Sequence, residues 1–296
     1  MTDENPCVYL IDGSSYIFRA FFALPPLTNS AGMPTHAIYG FTTMTLKFIK
    51  TRQPKYLVVV LDAGRETFRN EIYEDYKANR PEAPPDLVPQ FPYIRKVLEA
   101  MNVPMLELKG YEADDLIATL AKEFSAKNTE VVIVSGDKDL MQLVGKEVKL
   151  FDTAKEKWIG IEGVKEKFGV KPENVIEVMG LMGDSVDNIP GVKGIGEKSA
   201  IGLIQRFHTL ENLFDHLDDL ETTGLRGIAR IRKALMEDKE AAFLSRDLAR
   251  LRTDVPVHME LEQLRYQGPY KDKLRDLYTE LGFTQLLKSL DNEIQD

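Results

Sequence analysis

Three carboxylates fall within four residues at Tyr111-Glu112-Ala113-Asp114-Asp115-Leu116, and an apolar pattern of helical period follows at Leu116, Ile117, Leu120 and Phe124. Acids in the first turn of a helix have an ordinary explanation, because the free amides and the dipole favour negative charge there. Three together are less comfortable, since like charges repel and a cation would relieve them. For this cluster taken alone, cap and metal site both stay open. Other acids bear on the choice. Val8-Tyr9-Leu10-Ile11 ends in Asp12, Leu57 to Leu61 ends in Asp62, and Val131 to Gly136 ends in Asp137, with Asp139 just beyond. One aspartate after a strand is usually a turn or cap residue. Three strands that end alike, joined by the Glu112 cluster, suit a carboxylate bowl for hard divalent cations, Mg²⁺ or Mn²⁺.

Such a bowl needs a sheet to assemble it. Cys7 to Ile11, Tyr56 to Leu61, Val103 to Leu108, Val131 to Val134 and Val148 to Phe151 are short apolar runs, and segments 37–49, 88–101 and 116–124 between them carry helical periodicity. Strands that are apolar throughout and separated by helices predict a mostly parallel sheet covered on both faces. Strand C-termini then share one edge, ligands bind in the crevice beyond it, and acids far apart in sequence are expected to converge.

Tyr76-Lys77-Ala78-Asn79-Arg80-Pro81, followed by Pro84 and Pro85, breaks the α/β rhythm and predicts a surface loop. Lys77 and Arg80 beside Tyr73 and Tyr76 combine phosphate donors with stacking platforms that suit single-stranded nucleic acid, although a plain solvated loop has the same composition. Beyond Phe151 the pattern turns helical over 161–169, 172–183 and 201–207. Asp184 and Asp187 sit in a polar loop, and Gly191-Val192-Lys193-Gly194-Ile195-Gly196-Glu197-Lys198-Ser199-Ala200 leads into the third of these helices. Glycines ahead of a helix N-terminus expose amides that can receive a phosphate. Glu197 between Gly196 and Lys198 excludes a Walker A loop, and no strand precedes as a dinucleotide fingerprint needs. What remains is a tight turn between helices, either a phosphate grip or a plain cap. Residues 225–252 read as helical and locally basic, and Leu274, Leu277, Tyr278 and Leu281 mark a closing helix.

With 296 residues the chain has room for two domains, and 43% hydrophobic residues supply real cores. A formal net charge of -9 looks wrong for a nucleic-acid protein, yet it equals the nine acids singled out here, Asp12, Asp62, Glu112, Asp114, Asp115, Asp137, Asp139, Asp184 and Asp187. The remainder is balanced, and bound cations would reverse the local field. A lone cysteine, Cys7, fits a reducing compartment, the acidic start is not an ordinary signal peptide, and no apolar run nears the roughly 20 residues that cross a bilayer.

Six motifs can now be set together. Asp12-Gly13-Ser14-Ser15, Phe18-Arg19-Ala20, Tyr76 to Pro81, Gly110 to Asp115, Ser135 to Leu140 and Gly183 to Ala200 resemble, in order and over nearly the whole chain, the 5′ nuclease domain of bacterial DNA polymerase I, within the flap endonuclease family. The resemblance implies an α/β catalytic domain over 1–180 with a mostly parallel sheet of PIN type and a helical arch at about 70–100. It implies a helical DNA-binding subdomain over 181–290 with a helix-turn-helix-like element, and a tail at 291–296. By the same resemblance Asp12, Asp62, Glu112 and Asp114 look like ligands of one metal, and Asp115, Asp137, Asp139, Asp184 and Asp187 like a second group. Lys77 and Arg80 match catalytic arch residues at the scissile phosphate, with Tyr76 beside them. Arg19, Gly191, Lys193, Gly194, Gly196, Lys198 and Ser199 match further DNA contacts. Two or more Mg²⁺ or Mn²⁺ ions and a K⁺ at the glycine turn are implied. Implied too are DNA partners with a 5′ flap, nick or 5′ end, RNA-DNA primer junctions, a monomeric cytoplasmic nucleoid enzyme, and a polymerase domain linked in the same chain.

Phosphodiester hydrolysis needs an activated water, neutralisation of the transition state and support for the leaving alkoxide, which two ions about 4 Å apart supply. No histidine base is required, and His36, His208, His216 and His258 do not cluster. Three other readings compete: a non-catalytic branched-DNA-binding module, which would have no need of all nine acids; a phosphatase or receiver-type protein, whose second aspartate is missing after Asp12; and a ribonuclease, which the glycine turn and the length disfavour.

Overall fold

The computed structural model describes residues 6–295, so the acidic start at 1–5, on which the signal-peptide argument rests, and residue 296 lie outside the described residues. The first half alternates strand and helix: β1 (Cys7–Asp12), α1 (Gly13–Ala23), α2 (His36–Arg52), β2 (Tyr56–Val60), α3 (Phe68–Ile72), α4 (Phe91–Ala100), β3 (Met105–Leu106), α5 (Ala113–Ala126), β4 (Glu130–Val134), β5 (Val148–Asp152) and β6 (Lys157–Ile159). The sheet order is β3-β2-β1-β4-β5-β6, parallel except for β6. From β1 the chain builds outward through β2 and β3, then returns to the other side of β1 with β4. Strand order therefore reverses between β1 and β4, where open α/β sheets open a crevice at their C-terminal edge.

Alternation along the strands shows why both faces are covered. Val8 and Leu10 of β1, Val58 and Val60 of β2, and Val131 and Ile133 of β4 enter one core, while Ile11, Leu57, Val59, Val132 and Val134 enter the other. Period-two side chains leave no polar face, so helices must pack on each. α1, α2 and α4 cover one face. α5 covers the other, and its core continues into the helices of the second half: α6 (Ile161–Phe168), α7 (Val175–Met182), α8 (Glu197–Phe207), α9 (Leu210–Asp215), α10 (Ile228–Glu237) and α11 (Lys239–Ala249). Gly13 permits a close approach of α1 to β2, because a Cβ there would stand 2.5 Å from Val59 Cγ1.

One strand was not foreseen, and three expectations need correction. β6 is a hairpin return after β5, turned by the Asp152 carboxylate, which accepts from the amides of Ala154 and Lys155; this local turn has no period to reveal it. The expected arch at about 70–100 is helical only at its ends: between α3 and Val88 the chain forms turns, because Pro81, Pro84 and Pro85 remove donors and fix φ. The helical subdomain does not run to 290. α12 (Lys271–Leu281) and α13 (Thr284–Gln295) return to the α/β body, where Leu274, Leu277, Tyr278 and Leu281 join the core under α1, α2 and α4. Tyr270 donates its amide to Ala100 O at 2.9 Å on that return. The expected tail is therefore helix through residue 295.

Leu10 is fully buried at the centre of the sheet. Leu10→Ala should cost about 3 kcal/mol in urea unfolding, as cavities of that kind do; a loss below about 1 kcal/mol would mean β1 is not the central strand.

Candidate active site

The edge at the switch between β1 and β4 carries the acids. Asp12 ends β1 and caps α1, accepting the Ser15 amide at 2.9 Å through Oδ1 and the Ser135 hydroxyl at 2.7 Å through Oδ2. Ser135, at the end of β4, also accepts the Asp137 amide at 3.0 Å, so one hydroxyl fixes two carboxylates from neighbouring strands. Asp62, after β2, accepts the Ala113 amide at 2.8 Å and so caps α5 from outside, while its own amide donates to Ser14 Oγ. Glu112 is the residue at the mouth of α5, with Asp114 in the first turn.

Asp12, Asp62, Glu112, Asp114, Asp137, Asp139 and Asp187 all line one cavity of about 310 Å³, together with Tyr76, Lys77 and Arg80. Burial pushes Asp114 well above the ordinary carboxylate range, and Asp12, Asp137, Glu112 and Asp62 add to it. Burial and then Asp137 push Asp139 up to about 7, and its Oδ1 is buried with no hydrogen-bond partner. Oxygens that are crowded, protonatable and unsatisfied are what a hard cation would satisfy. Among the described residues no three acids, histidines or cysteines are already grouped so as to hold a metal ion. The lining is a wide bowl.

Cations hold its rim. The 73–81 strap lies against the 184–188 loop: the Lys77 amide donates to Asp187 O at 2.9 Å, and Asn79 Nδ2 to Ser185 O at 2.7 Å. Lys77 takes a left-handed φ of 56° and reaches Glu112 Oε1 at 2.7 Å and Asp187 Oδ2 at 3.6 Å. Arg80 pairs with Asp187. Lys138 Nζ stands 2.7 Å from Asp184. Burial raises Asp184, but Lys138 and the Val186 amide outweigh it and hold the carboxyl below its usual range. Asp184 is not among the residues that line the cavity.

Other predicted residues fall elsewhere. Asp115 is fully buried, and both its oxygens are occupied by Arg69, at 2.7 and 2.8 Å, and by the amides of Glu112 and Arg252. It is no candidate ligand as placed: Asp115 and Glu112 form the capping box of α5, and Glu112 and Asp114 also line the cavity. Tyr76 is no stacking platform, being 4% exposed with its hydroxyl on Glu112 Oε2. Arg19 is turned away from the acids, donating to Thr153 Oγ1 at 2.8 Å over the Tyr16 ring. In the glycine turn, Gly183 and Gly191 take positive φ and pack backbone on backbone. The Gly191 amide goes to Ser245 Oγ and the Lys193 amide to Asp238, so neither amide is offered to a phosphate. The Lys193 and Lys198 side chains, Gly194 and Gly196 are exposed, and Gly196 opens α8 with no side-chain cap, beside half-buried Ser199. Arg230 approaches Gly194 from α10.

A family model described as the 5′-3′ exonuclease N-terminal resolvase-like domain matches residues 7–169, and one described as the 5′-3′ exonuclease C-terminal SAM fold matches 170–272. A 5′-3′ exonuclease of Aquifex aeolicus is 43% identical over 284 residues, covering 96% of this chain and 95% of that one. The chain belongs to the 5′-3′ exonuclease family. DNA polymerase I of Bacillus caldotenax is 43% identical over 288 residues, and this chain spans about a third, 32%, of that relative's length and 96% of its own. Among solved structures, a T5 5′-exonuclease with bound zinc superposes with a TM-score of 0.67 at 24% identity, over 93% of this chain and 98% of that one. A bacteriophage T5 flap endonuclease complexed with DNA and metal ions gives 0.66 at 21%, over 98% and 100%. At these identities the structures establish the shared fold of this family. No described helix is long and apolar enough to cross a membrane.

Sequence reasoning missed Arg69, Ser14, Ser135 and Lys138 as members of the site. Ser14 and Ser135 stand inside the quoted motifs beside acids, which was a usable signal; Arg69 carries none.

Asp114 and Asp139 bind protons more tightly folded than unfolded, so their ionisation works against the fold as pH rises, for Asp139 from about 4 to about 7. Thermal midpoints measured in EDTA should fall across that window, and Asp114→Asn should raise the midpoint at pH 8. A lower midpoint for that variant would mean the acids do not repel one another. Asp115→Ala should instead cost about 3–5 kcal/mol by stranding Arg69.

Proposed function

We propose that the chain is a structure-specific 5′ nuclease that hydrolyses phosphodiester bonds at 5′ ends, nicks and 5′ flaps of DNA, and at RNA-DNA primer junctions. What carries the reading is that seven carboxylates line the same cavity as Lys77 and Arg80. Two Mg²⁺ or Mn²⁺ ions would suit this lining: Asp12, Asp62, Glu112 and Asp114 would hold one, and Asp137, Asp139 and Asp187, with Asp184 paired to Lys138 nearby, would hold the other. When bound, such ions supply an activated water and neutralise charge at phosphorus.

The protein's own groups do the rest. Lys77 and Arg80 exchange their carboxylate partners for non-bridging oxygens of the scissile phosphate and stabilise the charge that builds there. Water oxygen bonds to phosphorus, the bond from phosphorus to the 3′ oxygen breaks, and a 5′-phosphate and a 3′-hydroxyl result. The exposed turn with Lys193, Gly194, Gly196 and Lys198 would track the duplex backbone and could coordinate a K⁺ there. A linked polymerase domain, action as a monomer and a place at the bacterial nucleoid complete the proposal. The linked domain rests on polymerase relatives of which this chain spans 32%, whereas the match over 95% of a separate exonuclease favours a stand-alone nuclease instead.

A 5′-flap duplex should be cut with Mg²⁺ and left intact with EDTA, while single-stranded RNA is a poor substrate; equal cutting of both would replace this reading with a ribonuclease. Asp137→Ala should abolish cleavage and keep the fold. Lys77→Ala should slow cleavage by about 100-fold with a smaller loss of duplex binding, and unchanged turnover would remove Lys77 from the chemistry.

A further inference from the structure

Arg69 heads the fully buried side chains by size among the described residues, at 1% exposure. A guanidinium leaves water at high cost unless its donors are met. Four of its five N–H groups are met here: Nη1 and Nη2 form a fork on Asp115 at 2.7 and 2.8 Å, Nε donates to Leu248 O at 2.8 Å, and Nη2 also donates to Arg250 O at 3.0 Å. Nη1 stands 3.6 Å from Glu112 Oε2, and the group lies over the Phe68 ring.

Three separate pieces of chain meet on this one group. α3 is the foot of the strap that carries Lys77 and Arg80. Asp115 reaches back to the Glu112 amide and so fixes the start of α5, where Glu112 and Asp114 enter the bowl. Leu248 and Arg250 are at the exit of α11, whose last carbonyls have no partner within their own helix. Arg69 itself lines neither the acid cavity nor the larger one beside it.

We propose that Arg69 is a positioning residue for the nuclease reaction, setting the Glu112 and Asp114 carboxylates and the foot of the strap in one frame without touching substrate. The inference rests on the nuclease reading above. Its physical basis is geometric: a planar fork with five donors specifies orientation, whereas an ammonium in the same place supplies charge alone. Groups that orient the holders of a metal ion typically change its affinity by 10- to 100-fold when altered.

Arg69→Lys keeps the charge and loses the fork; Asp115→Asn keeps the volume and loses the charge that Arg69 grips. Both are made in the full chain, with thermal midpoint, Mn²⁺ affinity by calorimetry, flap-duplex affinity in EDTA, and single-turnover cleavage as readouts. Mn²⁺ affinity and the cleavage rate should each fall by about tenfold or more, while duplex affinity stays within about twofold. Unchanged Mn²⁺ affinity and rate beside a lowered midpoint would make Arg69 a structural strut and overturn the inference. If Arg69→Lys does not fold, Asp115→Asn decides; loss of fold in both also assigns a strut. An unaltered chain that neither binds Mn²⁺ nor cleaves would bring down the nuclease reading and this inference together, whereas metal binding and cleavage that both variants share would sink the inference alone.

Discussion

Crowding seven carboxylates into a cavity of about 310 Å³ is the constraint to which the rest of the molecule answers. Two like charges 4 Å apart near a protein surface repel by roughly 4 kcal/mol, so the edge of this sheet would be costly without compensation. The compensation is local and of three kinds. Helix N-termini and amides accept charge at Asp12 and Asp62. Cations from distant segments cover Glu112, Asp187 and Asp184. At Asp114 and Asp139 burial and the neighbouring acids outweigh both, and protonation becomes easier.

That division separates acids that look identical in sequence. Asp114 and Asp115 are neighbours, yet one faces the bowl and the other is sealed behind it in a fork with Arg69. Successive helical residues point about 100° apart, so adjacent acids at a helix mouth cannot share one side. Lys77 and Arg80 gain a second meaning in the same way. Their partners are carboxylates of the bowl, so the cations suited to a phosphate already stand beside it, held by the bonds between the strap and the 184–188 loop.

The helical half is not an appendage. Its core is continuous with the α5 face of the sheet, from Val8 through Leu264. Asp184 and Asp187 hang from the turn between α7 and α8, within the same stretch of chain as the exposed Lys193 and Lys198. One turn therefore contributes to the bowl on one side and to a basic surface on the other. Net charge of the whole chain, at -9, says nothing against this arrangement, because the field at a site follows the placement of charges.

Strand composition, and hence the parallel sheet, was determined by the sequence: β1, β2 and β4 are apolar throughout, and only burial on both faces tolerates that. The acids after those strands were legible for the same reason, since parallel strands send their C-termini to one edge. Only the tertiary structure decided which acids meet in one cavity, because that depends on strand order. It also decided that α12 and α13 return beneath the sheet and that prolines leave the strap without a helix. Arg69 shows the limit most clearly: its partners lie 46 and about 180 positions away, a separation at which no local pattern in the chain records a contact.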